Sequence, residues 1–363
     1  MNRSPFLTPD QSRQRRVRAA QRRRTRRLAA SVFAIVVIAA VAAAMALAGH
    51  SSGRSHRTTA ASSRSHPSSS LPKTPLLSAS GLPLAKPALA LAGIDTPQRD
   101  AVHLAFASPP RAGLLFNLAT GQVLWERNPY LRAPIASLTK MMTALLTVES
   151  APSDAPVLIT REAVDMPGSK VGVLPLGKHV RLETLLYGLL LPSGNDAAVA
   201  LAQHVAGSVN AFVARMNRQA AKLGMGCTRY SSPSGYYDGG NYSCAADLAV
   251  LAHVDLEQPR IASVVHTYAA VLPFPIKGGK LYLYNNNPLL IYKYPGVTGM
   301  KTGFTEAAGR CLVATAERDG VKLGVVLLDS DAPGTQASQL LDRGFDDVYH
   351  LAPVEQPPLP PGA

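Results

Sequence analysis

The chain has 363 residues, a formal net charge of +14 at pH 7 and only three cysteines. That length is ample for a buried core, in one large domain or two. The charge would suggest a nucleic-acid partner, but removing the fifteen cations and one acid of residues 1–86 from totals of 37 and 23 leaves 22 of each from Pro87 onward. The part expected to fold is therefore near neutral, and no nucleic-acid partner is expected.

Residues 1–27 carry ten arginines against the single acid Asp10 and read as a basic cytoplasmic segment. Residues 28–49 are uncharged and long enough to span a hydrocarbon core, either as a transmembrane anchor or as a signal. The positive-inside rule sends the chain after Gly49 outward, so the expected location is the cell membrane, single-pass with an extracytoplasmic domain, or secreted if the leader is cleaved near Ala46-Leu47-Ala48. A buried core helix is disfavoured because the run has no polar face. The paired Arg26-Arg27 carries little information in so arginine-rich a leader. Residues 50–98, rich in Ser, Thr, Ala and Pro, read as a flexible linker, and His50, His56 and His66 within it as solvated side chains. The folded domain is then expected over 99–352, with a proline-rich tail at 353–363.

Two short strands joined by a turn at Thr120-Gly121 come first, with the only tryptophan, Trp125, in a packing role. Leu138, Met141, Met142, Leu145 and Leu146 recur at helical spacing, and Ser137 opens the first turn of that helix. A mixed stretch over 157–176 turns at Pro167-Gly168 and Leu176-Gly177. Leu182, Leu185, Leu186, Leu189 and Leu190 form a second stripe, stopped by Pro192, and Ala197, Ala198, Leu201 and Val205 a third. Asn210 is expected to cap the next helix, with Gly224 ending it, and Ser243 to cap another. The runs 311–316 and 321–328 alternate around Arg318-Asp319-Gly320 as a hairpin, and a last amphipathic helix is expected from about Ala337 to Tyr349.

Within that frame, Ser137 and Lys140 stand three residues apart on one helix face, close enough to touch. A serine hydroxyl needs an adjacent base, and a desolvated lysine can supply one. A helix N-terminus also aims free N–H groups at developing negative charge. The spacing alone is weak, because Ser70-Leu71-Pro72-Lys73 repeats it in a stretch that cannot be helical. Ser193-Gly194-Asn195 and Lys301-Thr302-Gly303 come downstream in the order of the serine-lysine, Ser-x-Asn and Lys-Thr-Gly signature. With these motifs, and through residues 136–143, 187–201, 234–251 and 296–328, the chain resembles the low-molecular-mass D-alanyl-D-alanine carboxypeptidases, which are penicillin-binding serine peptidases.

The resemblance implies an α+β, β-lactamase/transpeptidase-like fold: a central antiparallel sheet with helices on both faces plus an all-helical subregion. It implies as substrate the D-Ala-D-Ala end of a peptidoglycan stem peptide, with β-lactams as inhibitors. Ser137 would be the nucleophile, Lys140 the base and Ser193 a proton relay. Asn195 would fix the substrate amide and orient Lys140, and Lys301 and Thr302 would meet the terminal carboxylate. Backbone N–H groups of Ser137 and Phe304 would hold the oxyanion, and Gly303 would let the substrate backbone approach closely. No cofactor or metal is expected, since no His-x-x-x-His or matching cysteine set occurs.

A class A β-lactamase is the nearest competing enzyme, but no Glu-x-x-Leu-Asn string lies between Lys140 and Lys301. An endopeptidase of the same family and a non-catalytic wall-binding module on the same fold are the other readings. Two departures from the family pattern stand out. Residues 329–336 lack the arginine that usually helps hold the substrate carboxylate, and the chain ends too soon for a second domain or C-terminal anchor, so anchoring is expected at the N-terminus. Three cysteines leave at least one unpaired within the chain; Cys227 and Cys244 share a neighbourhood and could pair, while Cys311 reads as apolar filler.

Overall fold

A computed structural model of the chain describes residues 76–94, 100–236 and 239–354. The basic segment, the apolar run 28–49, the three linker histidines and Ser70-Lys73 lie outside the described residues, as does the tail from 355 onward.

Strands β1 (Ala112–Asn117) and β2 (Val123–Arg127) form the expected pair, turning at Gly121 with φ +74°. A short strand β3 (Ala133–Pro134) leads through a single 3-10 turn at Ala136–Leu138 into helix α1 (Thr139–Ser150). Next come β4 (Pro156–Leu158), α2 (Arg161–Asp165), β5 (His179–Arg181), α3 (Leu182–Leu190), α4 (Asn195–Ala206) and α5 (Val209–Lys222). The strand β6 (Tyr242–Ser243) pairs with β3 and precedes α6 (Ala245–Leu256) and α7 (Pro259–His266). A hairpin of β7 (Ala269–Pro273) and β8 (Lys280–Tyr284) leads to α8 (Pro288–Ile291). The long strands β9 (Val297–Thr305), β10 (Gly309–Arg318) and β11 (Val321–Leu328) come after it, then α9 (Pro333–Arg343), which runs into a wider π turn at Gly344–Val348.

The main sheet is antiparallel in the order β2-β1-β11-β10-β9. Both faces are covered, which is why β11 buries every residue from Leu323 to Leu328 instead of alternating with solvent. Leu114, Phe116, Val313, Val326 and Leu328 face the helical region, where the expected stripes on α1, α3 and α4 are buried. Leu115, Leu124, Leu312, Ala314 and Val325 face the other way, onto Ala337, Leu340 and Leu341 of α9. Trp125 packs on this second face, edge-on to Phe106 at 6.0 Å. The fold is thus α+β, as expected.

Several local expectations need correction. Ser208, not Asn210, caps α5, its hydroxyl accepting from the N–H of Ala211. Cys244, not Ser243, stands at the N-cap of α6, and the Ser243 hydroxyl is used against Thr228 Oγ1 at 2.7 Å. The final helix begins four residues before Ala337 because Pro333 takes its first position, where no N–H is required. The linker expected over 50–98 gives way to a docked segment at 76–94. Ala85 and Ala88 donate to the carbonyls of Ala221 and Leu223 at the end of α5 (3.0 and 3.2 Å), and Ala92 exchanges bonds with Gly121 and Val123. Gly224, at φ +76°, lacks the Cβ that would strike Pro87. Backbone bonds to carbonyls a helix end leaves free, plus the buried Leu89, hold a segment whose composition looked unfolded.

Candidate active site

The site lies where the edge strand β9 meets the 3-10 turn ahead of α1, which, and not the first turn of the helix itself, carries Ser137. The turn is built under constraint: Ala136, just before the nucleophile, has φ +46°, and its carbonyl presses on Gly235, where an added Cβ would lie 1.9 Å from that oxygen. Gly303 lies against the same turn. A Cβ there would come within 3.0 Å of Ile135 O and 3.1 Å of Ser137 N, so this glycine brings the strand edge against the nucleophile's own backbone. The close approach expected of a substrate is made first by the protein.

Lys140 is fully buried, and its Nζ lies 2.8 Å from each of Ser137 Oγ, Asn195 Oδ1 and the carbonyl oxygen of Ser234. Two of these neighbours can only accept. A neutral amine has two protons to give them and one lone pair left, which then faces the Ser137 hydroxyl. Burial first, then the positive charge of Lys301, push the Lys140 ammonium well below the usual lysine range, with Asp196 pulling the other way. The three hydrogen-bonding neighbours of Lys140 are all neutral oxygens, with no carboxylate among them. Lys301 is itself buried, donates to Thr302 O at 2.9 Å, and has its pKa pushed down to about 7 by desolvation.

Ser193 occupies the turn between α3 and α4, and Asn195 opens α4. Ser193 adopts φ +67°, and its hydroxyl is buried without a hydrogen-bond partner among the described residues. An orphaned donor beside the nucleophile is unusual enough to mark a group kept for a ligand. The turn is clamped from outside. Asn195 N donates to Ser169 O at 2.7 Å, Asn195 Nδ2 donates to Pro167 O at 2.8 Å, and the buried Asp196 carboxylate accepts from Val171 N. Gly188 and Gly194 leave the room that Val171 fills. The 167–171 loop therefore fixes the amide that fixes the lysine, and sequence reading did not foresee it.

A cleft of about 360 Å³ opens over these groups, bounded by Ser137, Ser193, Thr302, Gly303 and Phe304, the last 62% exposed. Seven of the eight site residues read from the sequence thus line the cleft or join directly to Ser137 or Lys140. Lys301 is the exception, lying beneath the surface at the cleft's strand edge. Arg310 also borders the cleft. It sits on β10 opposite Phe304, with Nη1 donating to Asp331 O at 2.9 Å. The sequence pattern gave it no weight because the arginine was sought before the last helix, whereas strand pairing delivers one from β10. The Cys227–Cys244 disulfide is formed, and Cys311, which is not part of it, is buried beside the cleft.

A serine 2.8 Å from a buried lysine whose ammonium is disfavoured, on an antiparallel sheet backed by helices, has the make-up of a serine hydrolase. The D-alanyl-D-alanine carboxypeptidase family model, Peptidase_S11, matches residues 106–332, and the chain belongs to that family of serine peptidases. It is 34% identical over 257 residues to the D-alanyl-D-alanine carboxypeptidase DacF of Bacillus subtilis, covering 68% of this chain and 65% of that one. Against DacB2 of Mycobacterium tuberculosis the identity is 35% over 245 residues, covering 65% and 82%. A serine-to-alanine mutant of the Streptomyces K15 DD-transpeptidase superposes with TM-score 0.63 at 31% identity, covering 66% of this chain and 99% of that one.

Proposed function

We propose that the protein is a serine-type D-alanyl-D-alanine carboxypeptidase acting on peptidoglycan stem peptides. The observation that carries this reading is the 2.8 Å contact between Lys140 Nζ and Ser137 Oγ, with the two other neighbours of the amine unable to donate to it. Lys140 takes the proton as Ser137 attacks the penultimate D-alanine carbonyl. The oxyanion forms against the N–H groups of Ser137 and Phe304, worth about 100- to 1000-fold in rate per donor. The Ser193 hydroxyl, without a partner among the described residues, relays the proton held by Lys140 to the leaving D-alanine amine, and water then releases the shortened peptide. Thr302 and Arg310 line the end of the cleft suited to the terminal carboxylate, with Lys301 buried beneath it, and Arg310 takes the part left open by the missing loop arginine. Penicillins enter the same cleft as acylating inhibitors.

The test is to incubate the protein with labelled penicillin and with a D-Ala-D-Ala peptide, beside Ser137→Ala. The expected result is label on Ser137 and release of D-alanine, both lost in the variant. Rapid penicillin hydrolysis without D-alanine release would instead indicate a β-lactamase, and absence of label a binding module. Cleavage only of cross-linked dimers would indicate an endopeptidase.

Residues 28–49 serve, in this reading, as a membrane anchor that leaves the enzyme on the outer side, next to its polymer substrate. Among the described residues no single helix is long and apolar enough to cross a membrane. Fractionation of cells expressing the full chain checks this: recovery in the membrane after alkaline carbonate washing is expected, and recovery in the medium would exclude a retained anchor.

A further inference from the structure

The third neighbour of Lys140 comes from neither of the helices that carry the catalytic motifs. The carbonyl of Ser234 belongs to a loop that leaves the end of α5 and returns at the start of α6, and the Cys227–Cys244 disulfide joins the two feet of that loop. Inside it, three consecutive residues grip the nucleophile helix. Pro233 O accepts from Thr143 Oγ1 at 2.7 Å, Ser234 O accepts from Lys140 Nζ at 2.8 Å, and Gly235 lies under the carbonyl of Ala136. The feet are tied to each other at every level. Arg229 and Tyr242 exchange backbone bonds at 2.9 and 3.0 Å, Thr228 Oγ1 meets Ser243 Oγ at 2.7 Å, and Asp247 Oδ2 accepts from Cys227 N and Thr228 Oγ1. Tyr242 also pairs with Pro134, directly ahead of the nucleophile turn.

We propose that the Cys227–Cys244 disulfide is a positioning element for catalysis: by pinning the feet of the 228–243 loop it sets the Ser234 carbonyl against Lys140, so that acylation by this site depends on the oxidised pair. The proposal rests on Ser137 and Lys140 acting as described above. Physically, the Ser234 carbonyl takes one proton of the amine and Asn195 takes the other, which turns the lone pair toward Ser137. A loop free to drift by an ångström loses that orientation, and misplacement of this size costs about 100-fold in comparable sites. It also admits water to a buried amine. The charged groups that face Lys140 are Lys301 from β9 and Asp196 from α4, and neither belongs to the loop. Hydration alone would therefore raise the lysine's affinity for its proton, shifting the acid limb of the acylation profile to higher pH.

The experiment compares the oxidised protein with the same protein after dithiothreitol, which delivers two electrons and two protons, opens the S–S bond to two thiols and is itself oxidised to a cyclic disulfide. A Cys227→Ser/Cys244→Ser double variant is run in parallel. The acylation rate with labelled penicillin is measured across pH at a temperature where circular dichroism shows each sample folded. The expected result is a rate lower by about 10- to 100-fold in the reduced protein and in the variant, an acid limb displaced upward, and recovery on reoxidation of the wild type only. A lowered melting temperature with unchanged rate and unchanged pH profile would overturn the proposal and leave the disulfide a fold-stabilising link. Should the double variant not fold, the reduced wild type alone decides between these outcomes. If oxidised wild type takes no label, it is the reading of Ser137 that fails, and the two failures are thereby separated.

Discussion

Both faces of the sheet bury basic side chains, and they treat them in opposite ways. Arg318, at the end of β10, is held by Asp342 at 3.0 Å and lies over the rings of Tyr294 and Phe345 at 4.9 and 4.6 Å. Its charge is met by an opposite charge and by two aromatic faces, which is how a protein keeps a guanidinium inside without chemical consequence. Lys140 and Lys301, on the cleft side, are buried among neutral oxygens, and desolvation lowers the pKa of both. A compensated cation anchors; an uncompensated one is ready to give up its proton. Burial alone does not separate the two roles, and the partner does.

The sharpest way to break this contrast is to give Lys140 what Arg318 has. Asn195→Asp places a carboxylate 2.8 Å from Nζ, which favours the ammonium and removes the lone pair from Ser137. Acylation by penicillin is expected to slow by about 1000-fold at neutral pH, within the range for loss of a general base, with the acid limb moving upward. An unchanged profile would show that the lysine is not the base. Next in size is Gly303→Ala, whose new methyl would crowd Ser137 N at 3.1 Å. A loss of about 100-fold in kcat, the value for one oxyanion donor, is expected by stopped-flow acylation, with the melting temperature nearly unchanged.

Smaller effects concern the carboxylate end. Arg310→Ala should lower kcat/KM for a D-Ala-D-Ala peptide by about tenfold, chiefly through KM, as expected for a charge-assisted contact of about 1.5 kcal/mol. A substrate amidated at its C-terminus should barely notice the change. For Lys301 the sign runs the other way from Lys140. Its useful form is the cation, and with a pKa of about 7 that form is lost as pH rises through neutrality. The profile of kcat/KM, which reports the free enzyme, should therefore fall on the alkaline side near pH 7, while kcat falls later because a bound carboxylate restores the charge. Smallest for activity is the control on the opposite face. Asp342→Ala should cost about 2 kcal/mol in urea unfolding by taking a partly exposed hydrogen-bonded partner from Arg318, yet leave acylation per folded molecule unchanged.

How much of this could be read from the sequence depends on the range of the interaction. Ser137 and Lys140 were legible because one helical turn joins them, and the Ser-Gly-Asn and Lys-Thr-Gly triads because their letters are fixed by the chemistry they serve. The hairpin of β10 and β11 was legible from two apolar runs flanking Asp319-Gly320, although in the structure both runs are buried continuously instead of alternating. What stayed hidden acts through the backbone or across the sheet. The Ser234 carbonyl could belong to any residue, and Arg310 reaches the cleft only because β10 is paired with β9 in one particular register. The choice of Ser208 over Asn210 as cap was hidden for a different reason: both types cap well, and an offset of two residues is within the ordinary spread of helix starts. The docking of 76–94 escaped because backbone hydrogen bonds leave no compositional trace.

Gly235 carries a consequence for the drift of such enzymes over time. No side chain of any kind fits between it and Ala136 O, so a descendant that had exchanged this one glycine would have to surrender the bend that presents the serine. In a degraded copy whose Ser-x-x-Lys survives, that small position in the distant loop would tell a dormant relic from a working enzyme sooner than the celebrated letters themselves.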